Sequence, residues 1–257
     1  MSKIAQRPYV MSIAGFDPTA GAGILADIKC FEQNETYGFG ICSALTVQTD
    51  SEFLKNSWLS VTEIIDQMAP LLYRFKVAAV KIGLIKDIAV LLEVIAYLKK
   101  HQTTIKIVLD PVLKASAGYA FHDWDAGLKH LLPVLKQINL ITPNYPEMLS
   151  MGGQEEVFTA AGSWSAYCPV LLKGGHMKTH IGTDYLFENK KMVELKPSVT
   201  KVYQKHGSGC VLSAAITATL AKNHTLLDAC KHAKKYTEQF LNSNESLLGH
   251  HKLQFTQ

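Results

Sequence analysis

YVMSIAGFDPTAGAGILAD, residues 9–27, reads as a strand, a glycine turn and the start of a helix. The apolar run YVMSIA (9–14) is short and β-like, and AGFDPTAGAGILAD (14–27) follows it without a gap. Ile24, Leu25, Ile28 and Phe31 then share one helical face. A glycine loop between a strand end and a helix start is the ligand-facing corner of an open α/β sheet. Gly21, Gly23 and Ala26 also fit the loose dinucleotide pattern GxGxxG/A. That pattern needs an acidic residue about 20 residues further on. Ile41 and its neutral neighbours stand there, which argues against a nicotinamide-dependent oxidoreductase. The plain alternative is a tight turn in which glycines relieve crowding.

Further apolar runs follow: GFGICSALT (38–46), VAAVKI (77–82), IKIVLD (105–110), INLIT (138–142) and PVLLK (169–173). Most are separated by about thirty residues, the length of a βαβ unit. Amphipathic stripes lie between them. Ile64, Ile65, Met68, Leu71, Leu72 and Phe75 make one, and Ile88, Leu91, Leu92, Ile95 and Leu98 another. Continuous apolar strands alternating with such helices predict a mostly parallel sheet covered on both faces. TDYLFENKKMVEL (183–195) predicts two strands around a polar ENKK turn, a late antiparallel edge. HGSGCVLSAAITATLAKN (206–223) predicts a glycine turn feeding an alanine-rich helix. A last helix over about 225–243 turns Leu226, Cys230, Ala233 and Phe240 inward, and a loose tail is expected from Asn244. With no linker or composition break, residues 1–257 are read as a single domain.

Composition narrows the function classes. Of 257 residues, 47% are hydrophobic and 19% charged, which is globular rather than disordered. A net charge of +4 suits anionic small ligands and lacks the concentrated basic face of a nucleic-acid binder. No run reaches 18 apolar residues, so no membrane partner is expected. The opening residues lack signal-peptide anatomy. Five scattered cysteines without a CxxC pair argue against a disulfide framework or a structural zinc site, and a reducing cytoplasm is the expected location. Cys30, Cys42, Cys168 and Cys230 sit in apolar stretches and read as core.

Several loops carry residues with chemical potential. Asp27 complements a helix start or binds a polar ligand group. HGSGC (206–210) places glycines and free N–H groups at a helix N-terminus, an anion hole for a transferring phosphoryl group. Cys210, in that first turn, is expected to have a lowered pKa and to serve as a thiolate; otherwise it is a small buried side chain. In TPNYPE (142–147), Asn144 and Glu147 either order a hydrated magnesium ion or simply cap a helix. Lys173 in LLKGGH meets phosphate as a point charge or is merely solvated. Asp110 ends a strand, and the loop of small residues after it, LDPVLKASAGYAF (109–121), is free to move. No GxxxxGK[ST] sequence exists, which excludes a P-loop kinase.

Seven segments in order resemble the ribokinase-like superfamily: AGFDPTAGAGILADIK, ALTVQT, VKIGL, VLDPVL, LITPNYPE, VLLKGGH and HGSGCVLSAAI. More narrowly, they resemble the hydroxymethylpyrimidine/phosphomethylpyrimidine kinase family of thiamin biosynthesis. The resemblance runs from residue 14 to about 220 and implies a ribokinase-like three-layer sandwich with ATP and Mg as phosphoryl donor. It implies that the backbone of Gly15, the Asp27 carboxylate and the Gln48 amide contact a pyrimidine, with Leu84 and Val112 lining its ring. It implies that Cys210 stands where wider superfamily members carry an aspartate base, with Gly207, Ser208 and Gly209 as the anion hole. Asn144 and Glu147 would hold magnesium through water, and Lys173 and Asp110 would set phosphate geometry. Such kinases are often dimers, so the resemblance leaves a homodimer open. A pyridoxal kinase of the same fold and a non-catalytic pyrimidine- or vitamin-binding protein are the competing readings.

Overall fold

The fold was read from a computed structural model, which describes residues 6–114, 121, 127–177 and 180–251. Nine strands form one sheet in the order β3-β2-β1-β4-β5-β6-β7-β8-β9. The strands are β1 (Tyr9–Phe16), β2 (Tyr37–Gln48), β3 (Phe53–Trp58), β4 (Val77–Ile82), β5 (Lys106–Leu109), β6 (Leu140–Ile141), β7 (Val170–Leu172), β8 (Asp184–Glu188) and β9 (Lys191–Leu195). From β2 through β1, β4, β5 and β6 to β7 every pairing is parallel. The expected antiparallel edge is present as β7-β8-β9. Asn189 and Lys190 turn that hairpin, both with positive φ, as a tight hairpin turn requires.

The central strands of the sheet are buried on both faces because helices cover both. They are α1 (Gly23–Gln33), α2 (Val61–Arg74), α3 (Ile88–His101), α4 (Gly127–Leu135), α5 (Tyr145–Gly152), α6 (Val157–Trp164), α7 (Ser208–Ala221) and α8 (Leu226–Leu241). Strand residues alternate between two apolar cores. Val80, Ile107 and Leu109 face the core with Ile64, Leu91, Leu131, Met148 and Trp164 of α2 to α6. Ala79 and Val108 face the other, with Phe31, Val211, Ile216 and Ala233 of α1, α7 and α8. Period-two side-chain alternation inside a two-faced sheet leaves few solvent-facing positions, hence the nearly unbroken apolar runs. The three-layer sandwich expected from the sequence is the fold.

Some local readings need correction. The sequence reading did not mark β3, which pairs antiparallel with β2 and gives the sheet a second antiparallel edge. Cys30, Cys168 and Cys230 are buried, but Cys42 is only half-buried. The tail expected to be loose from Asn244 is tied as far as residue 251. Leu247 O accepts from His206 N at 2.9 Å, Asn244 O accepts from Lys205 Nζ at 2.6 Å, and the Tyr236 hydroxyl meets His251 Nδ1 at 2.8 Å. Residues 252–257, and most of the small-residue loop after Asp110, lie outside the described residues. Among the described residues, no helix is long and apolar enough to cross a membrane.

Candidate active site

The carboxyl ends of β1, β4, β5, β6 and β7 gather the chemistry-bearing residues, and the N-terminus of α7 closes over them. Gly207 caps α7 in a left-handed conformation (φ 74°, ψ 14°), and no side chain caps the helix. The first intrahelical bond to Gly207 runs from Val211 N, so the N–H groups of Ser208, Gly209 and Cys210 are left over. A Cβ on Gly207 would stand 2.1 Å from Gly21 O, so only glycine lets the two glycine loops touch. Gly23 has the same requirement: a Cβ there would stand 2.2 Å from Gly15 O. The anion hole expected at 207–209 is therefore seated directly on the first loop.

Cys210 is half-buried among Lys81, Asp27, Asp110 and the Gly23 N–H. Its pKa is raised, not lowered as the sequence reading expected. Burial pushes the thiol up first; Lys81 and the Gly23 N–H pull back, while Asp27 and Asp110 push further. The helix-start argument counted one field, and the fold brings two carboxylates that act against it.

Two lysine–carboxylate clusters flank that thiol. In the inner one, Lys81 Nζ donates to Asp27 at 2.9 Å (Oδ1) and 2.8 Å (Oδ2), and Ser12 Oγ donates to Asp27 Oδ2 at 2.5 Å. Both charged side chains have 0% exposure. In the outer one, Lys173 Nζ donates to Asp110 Oδ1 at 2.7 Å and stands 3.7 Å from Glu147 Oε2. Thr142 Oγ1 and Ser213 Oγ each donate to Asp110 at 3.1 Å. Burial works against the Lys173 charge, but Asp110 and Glu147 outweigh it and hold its pKa up. Glu147 is pushed up to about 7, first by burial and also by Asp110, with Lys173 opposing. A Cβ on Gly209 would lie 3.4 Å from Lys173 Nζ, so this cluster sits against the anion hole.

Asn144 and Glu147 form a reciprocal cap on α5. Asn144 Oδ1 accepts from Glu147 N at 2.8 Å, and Glu147 Oε2 accepts from Asn144 N at 2.7 Å. Lys173 N donates to Pro143 O at 2.8 Å, which ties the cap to the end of β7. The Asn144 amide is thus spent on the helix, while Glu147 is both a cap and a face of the outer cluster.

The residues expected on the pyrimidine side lie at the β1–β2–β4 end. A Cβ on Gly15 would lie 3.0 Å from Leu84 and 3.5 Å from Thr46. Gln48 Nε2 donates to Thr46 Oγ1 at 2.9 Å, and Thr46 Oγ1 donates to Phe16 O at 2.8 Å. Val112 is half-buried at the end of β5, its N–H turned back to Asp110 O at 2.9 Å. Gly15, Leu84 and Gln48 therefore share one wall. Asp27 is sealed with Lys81.

The model of the phosphomethylpyrimidine kinase family matches residues 17–255. The chain belongs to this family. A hydroxymethylpyrimidine/phosphomethylpyrimidine kinase of Aquifex aeolicus is 32% identical over 260 residues, spanning 95% of this chain and 99% of the relative. The crystal structure of a phosphomethylpyrimidine kinase from Clostridium difficile 630 superimposes with a TM-score of 0.74 at 28% identity, covering 90% of this chain and 98% of that one. A pyridoxal kinase from Staphylococcus aureus shares the fold, with a TM-score of 0.83 at 21% identity over 98% of this chain and 96% of that one. This chain is a phosphotransferase of the hydroxymethylpyrimidine/phosphomethylpyrimidine kinase type.

The same strand-end corner also contains residues the sequence reading did not single out: Ser12, Asp17, Thr46, Lys81, Thr142 and Ser213. Lys81 carried a readable signal, since a lysine inside VAAVKI must find a counter-charge once the strand is buried. The four hydroxyl residues carried none, because isolated Ser and Thr are common everywhere.

Proposed function

We propose that this kinase transfers the γ-phosphoryl group of ATP to the hydroxymethyl group of 4-amino-5-hydroxymethyl-2-methylpyrimidine, and then phosphorylates the monophosphate. The observation that carries the reading is the seating of the three unpaired N–H groups of Ser208, Gly209 and Cys210 against Lys173. N–H donors and a fixed ammonium converge where a transferring phosphoryl group would develop charge. Phosphoryl transfer asks a protein mainly for in-line positioning and charge stabilisation, and this corner offers both.

A magnesium ion fits the outer cluster by charge. Two carboxylates, Asp110 and Glu147, share one ammonium, and Glu147 is left with the weaker, 3.7 Å approach. Among the described residues, no group of three or more His, Cys, Asp and Glu side chains could hold a metal by itself. That suits magnesium, which takes one or two carboxylates and otherwise keeps water and substrate phosphates. Glu147 would hold it through water beside the Asn144 cap, and the ion would neutralise charge on the nucleotide phosphates. Lys173, held by Asp110, would meet those phosphates as a point charge.

On the acceptor side, the Gly15 backbone, the Gln48 amide, Leu84 and Val112 would hold the pyrimidine. Asp27 would receive its exocyclic amine only after the side chains sealing it part. Cys210 would accept the proton of the attacking hydroxyl. Burial, with Asp27 and Asp110, holds the thiol above its ordinary value against Lys81 and the Gly23 N–H, so the rate should still be rising with pH beyond the ordinary thiol range.

The test is ADP release from Mg–ATP with the hydroxymethylpyrimidine, its monophosphate and pyridoxal offered in parallel. Turnover on the first two is expected. Turnover on pyridoxal alone would move the substrate, and ligand binding without ADP would make this a binding protein. Cys210→Ala should cut kcat by about 10²–10⁴-fold, the range for a lost general base, with pyrimidine affinity nearly unchanged. Retained kcat would remove Cys210 from that role.

A further inference from the structure

Asp17 and His206 come from the two glycine loops and meet in the interior. His206 Nε2 donates to Asp17 Oδ2 at 2.9 Å, and the side chains are only 5% and 1% exposed. Asp17 is the hub of its own loop. It accepts from Thr19 N and Thr19 Oγ1 at 2.9 Å each, and from Ala22 N at 2.8 Å. Burial pushes the Asp17 carboxyl up, but the bonds from His206, Thr19 and Ala22 outweigh it and hold its pKa below the usual value. An ionised acceptor with that many donors is a rigid anchor.

His206 is the mirror of this on the other loop. It immediately precedes Gly207, whose left-handed turn presents the N–H groups of 208–210. Among the described residues its buried Nδ1 has no partner, so there the bond to Asp17 is the ring's one polar anchor. Its backbone N–H is taken by Leu247 O at 2.9 Å. The ring also packs on Gly21: a Cβ there would lie 2.8 Å from His206 Cδ2.

We propose that Asp17 and His206 form a positioning pair that fixes the phosphoryl-binding N–H groups of residues 208–210 against the first glycine loop. Neither side chain touches the reacting atoms. The pair sets the distance between the loop that carries Gly15 and Gly23 and the helix start that carries Cys210. As a statement about catalysis it rests on the phosphoryl-transfer reading above; as a statement about the two loops it does not.

The test uses His206→Ala, His206→Gln and Asp17→Asn in the full chain. Glutamine places an amide N–H where Nε2 donates, so it should preserve the bond to Asp17. His206→Ala should lower kcat by about 10²-fold, the cost of misplacing reacting groups by about 1 Å, with a much smaller change in the pyrimidine KM. His206→Gln should recover most of that loss. Asp17→Asn puts an NH₂ among donors and should resemble His206→Ala.

Hydrogen–deuterium exchange read by mass spectrometry supplies the readout that needs no substrate. In His206→Ala, exchange should rise in both segments 15–24 and 204–212, and His206→Gln should restore both. A rise confined to 204–212 would overturn the pairing of the loops. Coupled exchange with unchanged kcat would overturn the catalytic part alone. If the wild-type protein phosphorylates none of the three substrates, the exchange arm still decides whether the loops are latched.

Discussion

The two lysine–carboxylate clusters at neighbouring strand ends use the same chemistry in different surroundings. Lys81 and Asp27 are sealed, each at 0% side-chain exposure, with Ser12 as a further donor to the carboxylate. Lys173 is 12% exposed and Glu147 10%, and one ammonium there serves two carboxylates. The sealed pair is balanced, one charge against one. The open cluster sets two carboxylates against one ammonium and is partly exposed, as the proposed magnesium ion and nucleotide phosphates would require. The difference sets a fully sealed ion pair against one that solvent reaches, a distinction that residue type alone does not make.

Breaking the sealed pair should give the largest effect, and it should be an effect on stability. Lys81→Met leaves the Asp27 carboxylate uncompensated in the interior, which costs about 3–5 kcal/mol. Urea or thermal unfolding should register this as a large downward shift of the midpoint. Adding Asp27→Asn removes the stranded charge and should return much of the loss, because a neutral pair of similar volume avoids the desolvation of both ions. A Lys81→Met protein as stable as the wild type would erase the contrast between the clusters.

The matching change in the open cluster should read out in catalysis instead. Lys173→Met should lower kcat/KM for phosphoryl transfer by about 10²–10³-fold, as expected when one preorganised charge is lost. Its unfolding midpoint should move much less than that of Lys81→Met, since water and protonation of Glu147 can absorb the change. Steady-state kinetics and a melt on the same preparation check both halves. A large loss of stability without a selective loss of rate would mean that Lys173 is scaffolding too.

The sheet was legible wherever a strand is buried on both faces. VAAVKI matches β4 residue for residue, since a strand covered by helices on both sides has no polar alternation to blur it. FLKNSW was not legible as β3, because an edge strand mixes exposed and half-buried positions and offers neither a run nor a clean alternation. The site's contributing loops were legible from their glycines and strand-end positions. Its electrostatics were not. The Cys210 thiol is pushed up first by burial and then by Asp27 from α1 and Asp110 from the end of β5, far away in sequence and adjacent only after folding. Asn144 and Glu147 show the same limit. N-x-x-E names a helix cap and a metal ligand equally well, and only the neighbouring Lys173 and Asp110 give Glu147 a second role.

Glu147 also gives the open cluster a pH signature of its own. Its carboxyl moves from an ordinary 4.5 to about 7, so the folded protein holds this proton more tightly than the unfolded chain. Stability from this group is therefore fully present below about 4.5 and is lost as pH rises through about 7. In EDTA, the unfolding free energy of the wild type should fall from pH 5 to pH 8 by an increment that Glu147→Gln removes. Glutamine keeps an oxygen for the Asn144 N–H and so preserves the cap on α5, which isolates the charge from the helix. Denaturant unfolding at the two pH values measures the increment directly. An identical pH dependence in the wild type and Glu147→Gln would show that Lys173 fully compensates both carboxylates, and the open cluster would then be as balanced as the sealed one.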